Sequence, residues 1–403
     1  MTALDADHDP RTPREELNHR YSSLRKRLEH LDIDLSVVVT NPNLFYLTGS
    51  IQEGMLALSN HHSGPVYMVR RVFERANYES HLNDIRPAVS PKKLQEALGL
   101  TQVKSLGMEL DSVPVVWAER LRAAFGGHGV EIVDISHVLR ETRAVKSAWE
   151  VDRIVEGAAQ IDYAMERAKE VILEGMTELE LSAELEFAMR RMGHEGLVRM
   201  HRFNSEMHVG GVLSGPSATK PTWHQAVMGG GGLSPSLPHG ASNRKIRKGE
   251  PIAIDLCGIS HGYIADETRT FVIGSLSERT MEVQQATQEI LSTLESELRP
   301  GIHNEGLWIV AETMAEELGV LDGFMGVGDT KMKFIGHGVG LELDELPILA
   351  DRIPGVVPEG AVVALEPKVV IPELGVLGEE NTYHVTKDGA RQLTWAPPGP
   401  IIV

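Results

Sequence analysis

The spacing of apolar positions divides the chain into two parts. Between residues 21 and 141, short apolar runs at 35–40 and 64–69 alternate with helical segments, which predicts an α/β domain of modest size. From Ser147 to Ile172, apolar residues recur at three- and four-residue intervals instead, which predicts a long amphipathic helix. We therefore predict a disordered tail at 1–20, an N-terminal domain at 21–145 and a C-terminal domain at 146–403.

The C-terminal part carries clear helix start signals. Ser147 with Glu150 and Thr177 with Glu180 have the spacing of capping boxes, and Gly175 and Gly193 follow the two predicted helices. Two more helices are predicted at about 277–298 and 305–318, between predicted strands. The segment 201–249 is rich in Gly, Ser and Pro, and a long irregular segment within a compact domain is more often functional than not.

Two predicted hairpins each bring two acidic residues together. If Ser260 and His261 form the first turn, Asp255 pairs directly with Asp266. Like charges at directly opposed strand positions are destabilising, so a positive group is expected between them.

The second hairpin repeats this arrangement near the C-terminus. With its turn centred on Glu373, Glu366 faces Glu380. Four desolvated carboxylates without partners are costly, whereas divalent cations bind them readily.

The chain also offers histidines near these acidic residues. His337 lies between glycines and is the predicted imidazole ligand, which favours Mn, Co, Fe or Zn over Mg or Ca. His239 follows the glycine-rich segment and is expected beside the metal ions. Taken singly, Asp255 suits a structural salt bridge, His337 a turn and His239 a loop. The metal site is predicted from the combination of two carboxylate pairs and a histidine, not from any one of these residues.

Composition narrows the range of partners and locations. Lys and Arg number 39 and Asp and Glu number 57, giving a formal net charge of −18, so nucleic acid and anionic membrane surfaces are unexpected partners. The one cysteine, Cys257, excludes an internal disulfide and suits a reducing compartment. We find no signal peptide and no run of about 18 apolar residues, and we expect a cytoplasmic protein without a membrane segment.

At this point the sequence resembles the pita-bread metallopeptidase superfamily, which includes aminopeptidase P, prolidase, methionine aminopeptidase and creatinase. The matching motifs are the aspartate hairpin at 255–270, the histidine motif at 336–340 and the glutamate motifs at 365–367 and 380–382. Segments 41–49 and 143–147 look like the N-terminal domain and its junction in the prolidase and creatinase branch. The resemblance implies an α/β creatinase-like N-terminal domain and an α+β pita-bread catalytic domain.

The resemblance also implies a reaction and a set of roles. It implies a dinuclear hydrolase, often a homodimer, in which a metal-bridging water attacks the amide of an Xaa-Pro dipeptide or peptide. Glu366 would accept the proton and His239 would hydrogen-bond the tetrahedral intermediate. Manganese is the metal expected first, with cobalt, iron or zinc as alternatives. The two metal ions would be held by Asp255, Asp266, His337, Glu366 and Glu380.

Two departures from the family pattern leave the substrate open. Asp344 stands where the peptidases usually carry a second catalytic histidine, and Ser234 stands where an asparagine is common. Asp344 would act as an acceptor, a base or an anchor for an ammonium group. The alternatives are a hydrolase of small C–N bonds like creatinase and ectoine hydrolase, a lyase like those acting on dimethylsulfoniopropionate, and an inactive binding domain. Loops of a neighbouring subunit often line such pockets in this family, so Asn60, His61 and His62 have two interpretations, an exposed loop, which is favoured, or a segment that faces substrate.

Overall fold

The computed structural model describes residues 9–403 except 60, 61, 63, 88, 89, 101 and 225. The chain forms two compact units, Met1–Arg143 and Ala144–Val403. The predicted tail at 1–20 is too long, because a regular helix begins at Arg14. The part of that tail at 1–8 lies outside the described residues, as do Asn60 and His61.

The N-terminal unit is an α/β domain built on one mixed six-stranded sheet. The strand order is β4-β3-β2-β1-β5-β6, and apolar side chains of the sheet and of helices α4 and α5 form its core. Its elements are α1 Arg14–Leu28, β1 Leu35–Val38, α2 Asn41–Thr48, β2 Gly54–Leu58, β3 Val66–Val69, α3 Phe73–Glu79, β4 Ile85–Pro87, α4 Pro91–Ala97, β5 Ser105–Met108, α5 Val115–Phe125, β6 Glu131–Asp134 and, reaching its boundary, α6 Ser136–Ala144. The predicted α/β class is confirmed.

The C-terminal unit is the predicted α+β domain. It contains sheets ordered β11-β10-β12-β15-β16, β13-β14 and β17-β9-β8-β7. Its elements are α7 Ala148–Val171, α8 Glu178–Arg191, β7 Gly210–Ser214, β8 Ile252–Ser260, β9 Tyr263–Val272, α9 Glu278–Glu297, α10 Asn304–Glu317, β10 Phe334–Gly338, β11 Glu345–Ala350, β12 Val362–Leu365, β13 Lys368–Ile371, β14 Gly375–Gly378, β15 Asn381–Thr386, β16 Gly389–Gln392 and β17 Ile401–Ile402.

Helix α7 fixes the position of the first acidic hairpin. Both predicted capping boxes form, so α7 and α8 begin where the sequence indicates. Along α7, Gly157 meets Gly258 of β8 so closely that a Cβ added at Gly258 would lie 1.9 Å from the Gly157 carbonyl oxygen. A side chain at either position would push the helix away from the strands that carry the acidic residues.

The predicted pairing of Asp255 with Asp266 is wrong by two residues. Asp266 lies opposite Cys257, and Asp255 lies opposite Thr268. The cause is the turn, which is formed by His261 and Gly262 with φ of 51° and 78°. Positive φ at both central residues is the requirement of a tight two-residue hairpin turn, which glycine meets easily. Because the shift is an even number of residues, both carboxylates remain on the same face of the hairpin.

The predicted register of the second hairpin is confirmed. Lys368 pairs with Gly378 and Ile371 with Gly375, around a turn at Glu373 with φ of 62°. Strands β12 and β15 continue the same register, with Leu365 opposite Asn381. Glu366 and Glu380 lie between these two ladders and therefore face each other.

Candidate metal centre

One cavity of about 330 Å³ in the C-terminal unit brings together all five predicted metal ligands. Asp255 and Asp266 come from β8 and β9, and His337 comes from β10. Glu366 follows β12 and Glu380 follows β14. The five predicted ligands therefore come from two hairpins and one further strand, β10, that are far apart in sequence.

Three of these residues have the geometry of a cation site. Donor atoms of Asp266, His337 and Glu380 all lie within 4.8 Å of one another. The Oε2 atom of Glu380 accepts from the Thr268 hydroxyl at 2.7 Å, whereas its buried Oε1 has no hydrogen-bond partner among the described residues. A buried carboxylate oxygen without a partner is costly, and two carboxylates and an imidazole suit a divalent transition metal. The residues present therefore fit a metal ion.

The backbone holds the two acidic hairpins against each other. Thr268 and Glu380 exchange backbone hydrogen bonds of 3.3 and 3.1 Å, and the Thr382 hydroxyl donates to the Asp266 carbonyl oxygen at 2.8 Å. Glu380 and Asp266 therefore cannot separate without breaking main-chain contacts between the hairpins.

The carboxylates of the cluster repel one another. Burial raises the pKa of Asp266 well above its ordinary value, and the charges of Glu380 and Asp255 raise it further. Burial, followed by the charge of Glu366, raises the pKa of Glu380 to about 7. The cluster therefore holds more negative charge than its neighbouring side chains compensate, which is the condition that a bound cation relieves.

Glu366 and His337 form an ion pair at the edge of this cluster, with 3.3 Å between His337 Nε2 and Glu366 Oε1. Burial opposes the charge on His337, but hydrogen bonding to Glu366 and its charge outweigh burial and raise the pKa of His337 to about 9. Burial also opposes the charge on Glu366, but Lys368 and His337 lower the pKa of Glu366 to about 2. Glu366 is therefore ionised near neutral pH.

Lys368 is a cluster residue that the sequence reasoning missed. Its ammonium lies 2.8 Å from Glu366 Oε2, 2.8 Å from Glu380 Oε2 and 3.3 Å from Asp255 Oδ2. The signal was present in the sequence, because Lys368 is two residues after Glu366 and begins the otherwise apolar strand β13. Alternate residues of a strand lie on one face, which places Lys368 beside the ligands.

His239 is not among the residues that line the cavity. It is buried behind them, where its ring stacks on His208 at a centroid distance of 5.5 Å and its Nε2 lies 3.3 Å from the Glu206 carbonyl oxygen. Burial, followed by the neighbouring His224 and His208, lowers the pKa of His239 to about 4. Its ring is therefore neutral near pH 7, and its role toward an intermediate stays a prediction.

The lowered pKa of His239 predicts an acid-sensitive contribution to stability. In the unfolded chain the ring binds a proton as pH falls through about 6.5, whereas the folded chain resists protonation until about pH 4. The free energy of unfolding therefore falls with decreasing pH across this window. In His239→Gln we expect a shallower decline, measured by urea denaturation at several pH values. An equal decline in both proteins would contradict the assignment, and His303→Gln serves as the control.

Asp344 lines the cavity, but its two carboxylate oxygens are engaged by the main chain. Oδ1 accepts from the backbone N–H of His201 at 2.6 Å, and Oδ2 accepts from that of Arg202 at 3.1 Å. Of the three roles considered for this residue, acceptor is the one that the geometry supports. The anchored segment includes further residues of the cavity wall, namely Met200, Arg202, Ser205 and Met207.

Four polar residues of the cavity wall were not identified from the sequence: Arg202, Ser205, His224 and Lys333. Both ring nitrogens of His224 are buried without a hydrogen-bond partner within the part of the chain that the structure describes. No sequence pattern distinguishes these residues, since they lie in irregular segments or at a strand edge. Ser234 hydrogen-bonds Ser236 and is absent from the wall.

Comparison with known proteins assigns the fold and the family. The model of the Creatinase/Prolidase N-terminal domain matches residues 20–145, and that of Metallopeptidase family M24 matches residues 152–387. Xaa-Pro dipeptidases of Pyrococcus horikoshii and Pyrococcus furiosus are 30% and 28% identical, each over 94% of this chain and 97% and 98% of their own. The crystal structure of the Pyrococcus horikoshii OT3 prolidase superposes with a TM-score of 0.79 at 26% identity, covering 95% of this chain and all of that one. Across the described residues, none of the helices is long and apolar enough to cross a membrane. The chain belongs to Metallopeptidase family M24 and is a metallopeptidase with the pita-bread fold.

Proposed function

We propose that this metallopeptidase is a proline-directed dipeptidase or aminopeptidase that acts on Xaa-Pro peptides. The observation that carries the proposal is the Asp266, His337 and Glu380 cluster at the base of a cavity of about 330 Å³. That volume is at the lower end of the range for small-molecule sites and suits a short peptide. The Xaa-Pro dipeptidases among the relatives support the same substrate class.

The proposed ligand set is the one expected from the sequence: Asp255, Asp266, His337, Glu366 and Glu380. A divalent cation bound there supplies Lewis-acid charge that polarises a scissile carbonyl. Manganese is the proposed metal, because the set combines hard oxygen donors with one imidazole. Two ions were expected, and the position of Lys368 bears directly on that number.

Glu366 is the proposed proton acceptor because it lines the cavity and its carboxylate is ionised near neutral pH. Its base strength is held down by Lys368 and His337, whose hydrogen bonds stabilise the carboxylate. Efficient proton transfer needs a pKa closer to the working pH, so the role requires that substrate binding weaken one of these contacts.

Basic groups on the cavity wall suit the carboxylate end of a dipeptide. Arg202 and Lys333 both line the cavity, and Lys333 already pairs with Asp351 at 3.1 Å. Arg202 is the better proposed partner, since its guanidinium binds carboxylates in a two-pronged geometry. The ring nitrogens of His224, which have no hydrogen-bond partner among the described residues, offer a further hydrogen bond to a substrate amide or carboxylate.

The geometry favours peptide hydrolysis over the alternatives on the same fold. A lyase needs a free base beside the substrate, and both oxygens of Asp344 already accept backbone N–H groups. An inactive binding domain is not supported, because every expected metal ligand is present in one cavity. Hydrolysis of a small non-peptide C–N bond remains the second candidate, because the anchored Asp344 replaces a histidine that the peptidases use.

The test is turnover of Xaa-Pro dipeptides by the manganese-loaded protein. We expect hydrolysis of Ala-Pro and Leu-Pro, followed by proline release, which EDTA abolishes and added Mn²⁺ restores. Ala-Ala is the matched control for the proline requirement, and Ala-Pro-Ala distinguishes a dipeptidase from an aminopeptidase. Absence of turnover on every Xaa-Pro peptide, in a protein that binds manganese, would remove this proposal and favour the C–N hydrolase.

Assembly and location belong to the same proposal. We propose that the protein acts as a homodimer in the cytoplasm. The support is the family resemblance for the dimer, and for the location the single cysteine and acidic composition. Light scattering coupled to gel filtration would measure the assembly directly.

A further inference from the structure

We infer that Lys368 occupies one of the two cation positions of this centre, so that the enzyme holds one divalent metal ion and a resident ammonium group per chain. This inference rests on the proposed metal-dependent function. It concerns Lys368 itself, whose side chain was not part of the ligand set expected from the sequence.

The contacts of the ammonium group carry the inference. Lys368 Nζ lies within 3.3 Å of oxygens from Asp255, Glu366 and Glu380, which are three of the five expected ligands. An ammonium group has three donors and no acceptor, so three carboxylate partners satisfy it completely. A second divalent ion would need the carboxylates of these same residues and would compete with the ammonium group for them.

The surroundings leave this side chain little freedom to move away. The Lys368 side chain is 3% exposed, and its strand position faces Gly378. A Cβ added at Gly378 would lie 2.8 Å from Lys368 Cγ, so the glycine provides the space through which the lysine stem passes. If a second metal ion displaced the ammonium, a buried charge would lose its partners, which is strongly destabilising.

The remaining donor atoms still form a site. Within the part of the chain that the structure describes, the ion pairs of Lys368 are with Asp255, Glu366 and Glu380 and not with Asp266 or His337. Asp266 and His337 form, with Glu380, the group whose donor atoms lie within 4.8 Å of one another. The Oε2 atom of Glu380 contacts the lysine, whereas its buried Oε1 has no hydrogen-bond partner among the described residues and so leaves one oxygen for a metal ion. Glu380 therefore uses one oxygen for each cation, and one metal ion next to Lys368 completes the arrangement.

Metal stoichiometry tests this inference without reference to activity. The full-length protein is stripped with EDTA, equilibrated by dialysis against MnCl₂ and measured by inductively coupled plasma mass spectrometry and electron paramagnetic resonance. For the wild type we expect one Mn²⁺ per chain with the spectrum of an isolated ion. For Lys368→Met we expect two Mn²⁺ per chain with the spectrum of a magnetically interacting pair, and Lys368→Arg should keep one.

Lys146→Met is the matched control, because Lys146 is also buried and pairs with Glu345 at 2.9 Å outside the ligand cluster. It should bind one Mn²⁺, like the wild type. Two Mn²⁺ in the wild type, or one in both the wild type and Lys368→Met, would overturn the inference. If Lys368→Met does not fold, Lys368→Gln replaces it. A count of two Mn²⁺ per chain in the wild type overturns the inference without any variant.

The outcomes separate this inference from the proposed function. A wild-type protein that binds no Mn²⁺ removes the metal centre on which both depend. One bound Mn²⁺ without turnover of Xaa-Pro peptides removes the proposed substrate and leaves the role of Lys368 intact. Turnover with two bound Mn²⁺ supports the function and overturns the role of Lys368.

Discussion

Replacing His337 with alanine is expected to lower kcat/KM on Xaa-Pro dipeptides by about a thousandfold, because Lewis-acid stabilisation of several kcal/mol is lost with the metal ion. His337 belongs to the group of three residues whose donor atoms lie within 4.8 Å, and it is the one imidazole of that group. Its removal also leaves Glu366 without its 3.3 Å ion-pair partner. We expect kcat/KM, measured by steady-state kinetics, and the manganese bound per chain to fall together.

The control for this change is His384→Ala. His384 lies on β15 in the same sheet as His337 and is absent from the cavity wall. We expect activity within about twofold of the wild type, since the side chain of His384 does not line the cavity that holds the proposed metal centre. If His337→Ala retained both manganese and activity, the imidazole would not be a ligand and the proposed centre would need a different donor set.

Sequence reasoning was most successful where local chemistry decides the structure. The capping boxes at Ser147 and Thr177 start their helices as expected, since side chains there hydrogen-bond the free N–H groups of the first turn. The second hairpin has the expected register, because its turn centre at Glu373 is marked on both sides by proline and glycine. These elements depend on residues that are close in sequence.

The first hairpin shows where a short-range signal was misread. The turn was placed one residue early, although Gly262 indicates the position that needs positive φ. The even displacement preserved the face on which Asp255 and Asp266 lie, so the expected site survived an incorrect register. Which residues share a face of a hairpin can therefore be inferred from sequence more robustly than which residues lie directly opposite each other.

The cavity wall depended on contacts that no local pattern encodes. Arg202 reaches the site because Asp344, more than a hundred residues later, holds its backbone N–H. Lys368 is different, since its position beside Glu366 follows from strand alternation and was available from the sequence. Its carboxylate partners Asp255 and Glu380, however, require the tertiary structure to identify.

Asp344→His is expected to lower peptidase activity, even though it restores the residue type usual in the family. The carboxylate accepts the backbone N–H groups of His201 and Arg202, and hydrogen bonds to charged groups contribute about 1.5–3 kcal/mol each. An imidazole has at most one acceptor nitrogen, so at least one N–H loses its partner. The segment that carries Met200, Arg202, Ser205 and Met207 into the cavity should become mobile.

Hydrogen exchange and kinetics distinguish this anchoring role of Asp344 from a role as catalytic base. If Asp344 is an anchor, the Asp344→Asn variant keeps one acceptor oxygen and loses the other. We then expect kcat/KM to fall about tenfold and hydrogen exchange at the amides of residues 201 and 202 to become faster. If Asp344 is a catalytic base, the same variant would lower kcat/KM about a hundredfold or more and leave hydrogen exchange at these amides unaltered. Asp388→Asn is the control, since Asp388 is an exposed acidic side chain in the turn between β15 and β16 and does not line the cavity. A rise in Xaa-Pro activity in Asp344→His would contradict the anchoring role, because a released segment cannot hold Arg202 in place for the substrate carboxylate.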